Sequence, residues 1–231
     1  MLWATTDLWP DLQQAVLLEA SAAVRKVGET LAADAMTAKI AWLAGDLTID
    51  LADLKPADLV TCAYVLDEIP PASLPKLVDR LWQLTADTLL IVEPGTPAGW
   101  QRILAVRRQL IEAGAHVLAP CPHDAPCPVS PPDWCHFARR VARSRLHRLA
   151  KDADVPWEDE KFIYVAASRE AGPSRPARVL APPKSGSGKV LLKLCEPDGS
   201  AGETLFTKRD GDLFKAARRL DWGDTLGGTS G

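Results

Sequence analysis

Cys121, Cys127 and Cys135 stand close together in the chain, with five and then seven residues between them. Thiolates are soft ligands that suit zinc or an iron–sulfur cluster. Pro120, Pro122, Pro126 and Pro128 flank the first two cysteines, and ligands held in a stiff loop lose less entropy on binding. Cys195 ends the apolar run Val190 to Cys195 and is placed to supply a fourth thiolate from a distance. His123 and His136 offer nitrogen ligands, which keeps zinc open beside an iron–sulfur cluster. The spacing differs from the paired C-x-x-C of common zinc ribbons. The plainer alternative is a set of buried free thiols, against which the exposed, proline-dense texture of the segment argues. Cys62 lies inside an apolar run and reads as core.

A second group comes directly after. Residues 134–151 carry Arg139, Arg140, Arg143, Arg145, Arg148 and Lys151, with His147 among them, and the pattern predicts a strongly basic helix. Arginines on several sides of one helix suit phosphate contacts and salt-dependent binding of nucleic acid. The competing expectation is a solvated surface helix. Charge across the chain points the same way. Residues 1–100 hold 6 Lys/Arg against 14 Asp/Glu, a net −8, whereas residues 101–231 hold 21 against 16, a net +5. An acidic first half and a basic second half imply two jobs, with a polyanion as partner of the second.

These groups need a scaffold, and the first half predicts an α/β one. Short apolar strands end at Glu19 (after Val16 to Leu18), at Gly45-Asp46 (after Ile40 to Leu43), at Tyr64 (from Asp58) and at Val92 (from Thr88). Helices are expected over 21–33, with Ser21 as cap, over 74–84 and over 101–113. That rhythm argues a doubly wound, Rossmann-like parallel sheet with ligands at the carboxyl ends of its strands. Glu19, Asp46, Asp67 and Glu93 fall near such ends. An acid in the place of Glu19 bonds ribose hydroxyls in nucleotide-binding domains, and Asp46 is placed to approach a base edge. Further on, residues 161–167 predict a strand, 173–189 a loop, 190–195 with 203–208 a β-hairpin, 212–220 a helix and 225–231 a flexible tail. Gly186-Ser187-Gly188-Lys189 lacks the P-loop spacing and reads as linker.

Of the 231 residues, 47% are hydrophobic and 25% charged, the balance of a globular chain. No run approaches the roughly 20 apolar residues of a membrane span. The N-terminus has no basic region followed by an apolar block, so no leader is expected. Five cysteines in such a chain do not predict a disulfide framework.

From Glu93 onward the chain resembles a known family. EPGTPAGWQRI, GAHVLAPCPHDAPCP, DWCHFARRVARSRLHR, EDEKFIYV and ARRLDWGD look like the methyltransferase-like protein seventeen family of the mitochondrial small ribosomal subunit and its bacterial relatives. The resemblance implies a class I S-adenosylmethionine methyltransferase fold with a Cys-rich insertion. It further implies action in small-subunit assembly and translation through rRNA and ribosomal proteins; with no leader expected, a bacterial cytoplasm is the expected place and a mitochondrial matrix the alternative. It implies a 4Fe–4S cluster on Cys121, Cys127, Cys135 and Cys195, and S-adenosylmethionine near Glu19 and Asp46. MLWATTDLWPDL resembles the family's first helix, so the fold is expected to lack its first strand and glycine loop. Residues 64–68, Tyr-Val-Leu-Asp-Glu, offer no set for positioning a methyl acceptor, and catalytic residues stay unassigned. The expected organisation is a partial methyltransferase-like domain over 1–115, a metal-binding and RNA-docking region over 116–224, and the tail. An active rRNA methyltransferase and a zinc-stapled RNA-binding protein stand as alternatives.

Overall fold

A computed structural model describes residues 1–33, 38–47, 51, 54–152 and 154–227. The chain opens with α1 (Leu2–Leu8), β1 (Gln14–Glu19), α2 (Ala22–Ala33) and β2 (Lys39–Ala44). β1 and β2 pair in parallel, in register from Gln14↔Lys39 to Glu19↔Ala44. The Ser21 hydroxyl accepts the Val24 amide and caps α2 as its sequence predicts. Among the described residues these two strands form a sheet of their own and share no ladder with any later strand.

The main sheet is built from β3 (Ala57–Ala63), α3 (Leu74–Gln83), β4 (Thr85–Pro94), α4 (Pro97–Glu112), β5 (His116–Ala119), β6 (Phe137–Ala142), α5 (Arg145–Ala150) and β7 (Trp157–Ser168). Its order is β3-β4-β7-β5, with β6 also on β7. Only β3 and β4 run parallel; β7 lies antiparallel to β4, β5 and β6. The expected parallel sheet is therefore mixed. Leu89 and Ile91 of β4 and Val165 and Ala167 of β7 are fully buried. Leu77, Val78, Leu81 and Trp82 of α3 and Trp100, Ile103, Val106 and Leu110 of α4 close over them. Each such side chain contributes about 1.5–3 kcal/mol by leaving water.

The basic helix expected over 134–151 does not form. Phe137–Ala142 is strand β6, and only Arg145–Ala150 is helical. The reason lies across the ladder, where Arg139 faces Glu160 and Arg140 faces Asp159. Opposite charges on facing strand positions favour pairing, and tertiary pairing overrides local helix preference.

The third layer contains β8 (Ala177–Val179), β9 (Lys184–Gly186), β10 (Lys189–Cys195), β11 (Ala201–Thr207), a 3-10 turn (Lys208–Asp210), α6 (Asp212–Ala217) and β12 (Thr225–Leu226). The expected hairpin is β10–β11, paired from Lys189↔Thr207 to Cys195↔Ala201. Two expectations need correction here. The loop over 173–189 contains β8 and β9, and Ser187-Gly188 is the turn of a β9–β10 hairpin, with Gly188 at φ +72°. Thr225–Leu226 pair with β8 instead of trailing free; residues 228–231 of the expected tail lie outside the described residues. Val179, Val190, Leu192, Leu194, Phe206, Phe214 and Ala217 make a second core. Among the described residues no helix is long and apolar enough to cross a membrane.

Candidate metal centre

β5 and β6 occupy the same edge of β7, one after the other. Ala119 pairs with Ala166, and Phe137 with Phe162. The intervening residues 120–136 cannot follow so short a stretch of ladder and leave the sheet as a loop. Cys121 stands at its start, Cys135 at its end and Cys127 between. Cys195 arrives from the third layer as the last residue of β10, 5% exposed. The four cysteines and His123 line one cavity, with Pro120, Pro122, Arg178 and Leu180 also in its wall. Cys62 is buried in the main core, as expected.

Cys121, Cys135 and Cys195 each feel the charge of at least one other thiol of the group. Burial pushes the Cys195 thiol up to about 12, with Cys121 and Cys127 adding to it. Burial first, then Cys121, Cys127 and Cys195, holds Cys135 well above the usual thiol value. Burial also raises Cys121, though the Arg107 charge opposes it. These three thiols are protonated at neutral pH, so a metal entering here displaces protons. The sulfurs ring a cavity: among the described residues no three His, Cys, Asp or Glu side chains are gathered tightly as a ready-made single-ion site.

His123 is 5% exposed and held at both ring nitrogens. Nδ1 lies 3.1 Å from the Ala125 carbonyl, and Nε2 lies 3.4 Å from Cys195 Sγ. Burial, and then Arg107, lower its tendency to protonate. The consistent assignment is a neutral ring with Nδ1–H donating to Ala125 and the Cys195 thiol donating to Nε2. His136 is placed elsewhere. Its ring stacks on Trp134 with centroids 4.9 Å apart and meets Trp222 edge-on at 4.9 Å.

Three arginines and a turn fasten the loop. Arg107 of α4, 5% exposed, donates to the carbonyls of His123 at 2.6 Å and Ala125 at 2.9 Å. Arg175 pairs with Asp124 at 2.9 Å; burial pushes that carboxyl up, but the Arg175 hydrogen bond and charge outweigh it and keep it low. Arg178 of β8 donates to Pro120 at 3.0 Å and to Gly223 at 2.7 Å. Lys193 of β10 pairs with Asp133. At the tip of the β10–β11 hairpin Gly199 holds φ +89°, and a Cβ there would stand 3.1 Å from that of Ala125. The cavity thus lies on the seam between the main sheet and the third layer.

The basic residues separate into two kinds. Arg140 makes a two-point pair with Asp159 at 2.7 and 2.9 Å. Arg143, His147 and Lys151 converge on Glu158 at 3.0, 3.5 and 3.0 Å. Arg139 and Arg145 are exposed, and among the described residues no ion pair engages them. Arg148 is half-buried, with Nε unpartnered.

Glu19 and Asp46 come to the carboxyl ends of neighbouring parallel strands, Glu19 closing β1 and Asp46 lying just past β2. The Glu19 carboxylate accepts the Ser21 amide at 2.7 Å. Glu93 is fully buried, accepts the Leu66 amide at 3.1 Å and pairs with Arg102 at 2.7 Å, so it ties β4 to the turn after β3. Asp67 is exposed. Tyr64 closes that strand at φ +58°, a left-handed conformation that costs a non-glycine residue about 1–3 kcal/mol. Sequence reasoning missed Arg107, Asp124, Arg175 and Arg178. Arg107 carried a signal: it shares a helix stripe with Trp100, Ile103 and Leu110, where an aliphatic side chain is the norm.

The family described as "Mitochondrial small ribosomal subunit Rsm22" matches residues 1–227. The human "Ribosome assembly protein METTL17, mitochondrial" is 29% identical over 243 residues, covering 97% of this chain and 52% of its own length. The fission yeast Schizosaccharomyces pombe "Rsm22-cox11 tandem protein 2, mitochondrial" is 24% identical over 190 residues, covering 62% of this chain and 25% of its own. The chain therefore spans about half the length of the human relative and a quarter of the yeast one. Among solved structures, a putative methyltransferase from Bacillus halodurans is similar with a TM-score of 0.45 and 12% identity over 73% of this chain and 88% of that one. The N-methyltransferase NodS from Bradyrhizobium japonicum also scores 0.45, at 15% identity over 71% of this chain and 78% of its own. The match over residues 1–227 decides the family: the chain belongs to the Rsm22 family of the mitochondrial small ribosomal subunit.

Proposed function

We propose that this chain is a methyltransferase-like assembly factor of the small ribosomal subunit, in which Cys121, Cys127, Cys135 and Cys195 hold a 4Fe–4S cluster beside an rRNA-docking arm. The observation that carries this reading is the convergence of three loop thiols and the remote Cys195 on one cavity at a seam between two layers. The residues fit a soft-metal centre in number and type. Around one zinc ion, with Zn–S near 2.3 Å, four sulfurs crowd to within about 4 Å of one another. In a four-iron cluster each thiolate holds a different iron, which suits a ring around a cavity. Bound there, the cluster supplies a four-point tie between the loop over 120–136 and β10. The rest falls to the polypeptide. Asp159 and Glu158 hold Arg140 and Arg143 in place, and Arg139 and Arg145 present charge to phosphates. The name of the human relative, a ribosome assembly protein, supports the same role.

S-adenosylmethionine would meet Glu19 and Asp46 at the ends of β1 and β2, with Glu19 toward the ribose. No acceptor-positioning set stands at Tyr64 to Glu68, so we assign binding and assembly in preference to turnover. Calorimetry with adenosylmethionine separates the two: micromolar binding together with methyl transfer to small-subunit rRNA would restore the enzyme reading. A zinc staple is the second reading, favoured by His123 Nε2 beside Cys195. The functional test compares the binding of small-subunit rRNA by the iron-loaded chain and by the same chain stripped anaerobically with chelator. Weaker binding by the stripped form is expected; equal binding refutes a docking role for the centre.

A further inference from the structure

A buried arginine remains that the cysteine reading does not use. Arg107 stands on the apolar stripe of α4 among Trp100, Ile103 and Leu110. Its guanidinium donates to the His123 and Ala125 carbonyls, on the loop that carries Cys121 and Cys127, and its charge opposes the burial that raises the Cys121 thiol. Nε is buried without a partner, and among the described residues no carboxylate forms an ion pair with it. Of the two acids of this loop, Asp124 is taken by Arg175 and Asp133 by Lys193. An arginine keeps its charge when buried, and a buried charge without a counter-ion is a liability that folded proteins normally avoid.

We propose that Arg107 is the counter-charge of the cysteine centre, built in to neutralise an anionic metal guest held by Cys121, Cys127, Cys135 and Cys195. The proposal rests on the four-cysteine reading above and extends it to a residue outside the ligand set. Four thiolates around an oxidised four-iron core, or around one zinc ion, leave two net negative charges on the centre. A guanidinium fixed on the His123 and Ala125 carbonyls, behind the cavity wall that His123 shares with the cysteines, offsets part of that charge in a region where water cannot. Arg107 is thus a positioning and charge-balancing residue that holds the backbone of the loop. It also makes loading and stability interdependent: the empty chain carries a buried cation with no ion pair of its own, and the loaded chain sets a negative centre near it.

The test uses the full chain, wild type, Arg107→Met and Arg107→Lys, purified anaerobically and divided into loaded and chelator-stripped samples. Methionine keeps the apolar stripe filled and removes the charge. Loaded Arg107→Met should lose its metal to excess chelator at least tenfold faster than wild type. For an iron–sulfur centre, its midpoint potential should also fall, because reduction adds a further negative charge. A tenfold change in the one-electron equilibrium corresponds to about 59 mV. Arg107→Lys keeps the charge and should hold its potential close to wild type while losing the forked contacts to His123 and Ala125. Stripped Arg107→Met gives up the ties to the His123 and Ala125 carbonyls together with the buried charge, so it should melt close to stripped wild type. Equal metal retention and equal potential in wild type and Arg107→Met would overturn the assignment. So would a stripped Arg107→Met that melts far below stripped wild type, which would make the side chain a plain tie for the loop. Wild-type chain carrying neither iron, sulfide nor zinc would instead sink the centre itself, and with it this role.

Discussion

Replacing Cys195 with alanine separates the ligand role of this residue from its part in packing. The side chain is 5% exposed at the end of β10, and its backbone is held on both sides, opposite Arg178 and Ala201. In the stripped chain the change removes one buried sulfur and its contact with His123, at a cost of about 1 kcal/mol. In the loaded chain it also removes one of four ligands. On the scale of structural zinc in zinc fingers, an apparent 10–16 kcal/mol of folding free energy over four ligands, one ligand's share is about 2.5–4 kcal/mol. For a chain of this size 1 kcal/mol corresponds to about 2–4 °C in Tm. The loaded variant should then melt about 7–20 °C below loaded wild type, against about 2–4 °C between the stripped forms. Anaerobic scanning calorimetry on the four samples reads both differences. Equal shifts in loaded and stripped pairs would refute the reasoning, because Cys195 would then act only by packing.

Three further outcomes rest on the same geometry. Changing Arg139 and Arg145 to alanine should reduce the salt slope of rRNA binding by about 1.4, at roughly 0.7 per phosphate contact on single strands; filter binding across a salt series should show no such change for Arg140→Ala, whose charge is already paired. Glu93→Ala should cost about 3 kcal/mol, the low end for breaking a buried pair, since Arg102 is partly exposed; a urea midpoint equal to wild type would show the ion pair to be idle. Gly199→Ala should cost about 1–3 kcal/mol through its φ of +89° and its approach to Ala125, and should speed metal loss, read as iron released to chelator; unchanged release would detach the hairpin tip from the centre.

Much of the scaffold was legible because local pattern and tertiary outcome agree. Ser21 caps α2, Leu77, Val78 and Leu81 face the core of α3, and Val190 to Cys195 is a strand. Residues 134–151 misled because the deciding term is not local. The arginines that favour a helix in isolation find Glu158, Asp159 and Glu160 on β7, and no window on one segment contains both. The antiparallel sense of β7 is equally invisible in a run of alternating apolar residues, which reads the same in either direction. Spacing and proline texture singled out the three loop cysteines, and the structure brings them with Cys195 to one cavity. The sequence left both histidines open; the structure sets His123 against Cys195 and gives His136 to two tryptophans. Arg107 was passed over because a charged residue in mid-helix is ordinarily on the solvent side, although its stripe with Trp100, Ile103 and Leu110 turns it inward.

The central claim is that four cysteines hold an iron–sulfur cluster, and metal analysis of the anaerobically purified full chain tests it most directly. About four irons and four acid-labile sulfides per chain are predicted, falling to background in Cys127→Ser. A colourless chain with one zinc and no iron would contradict the account.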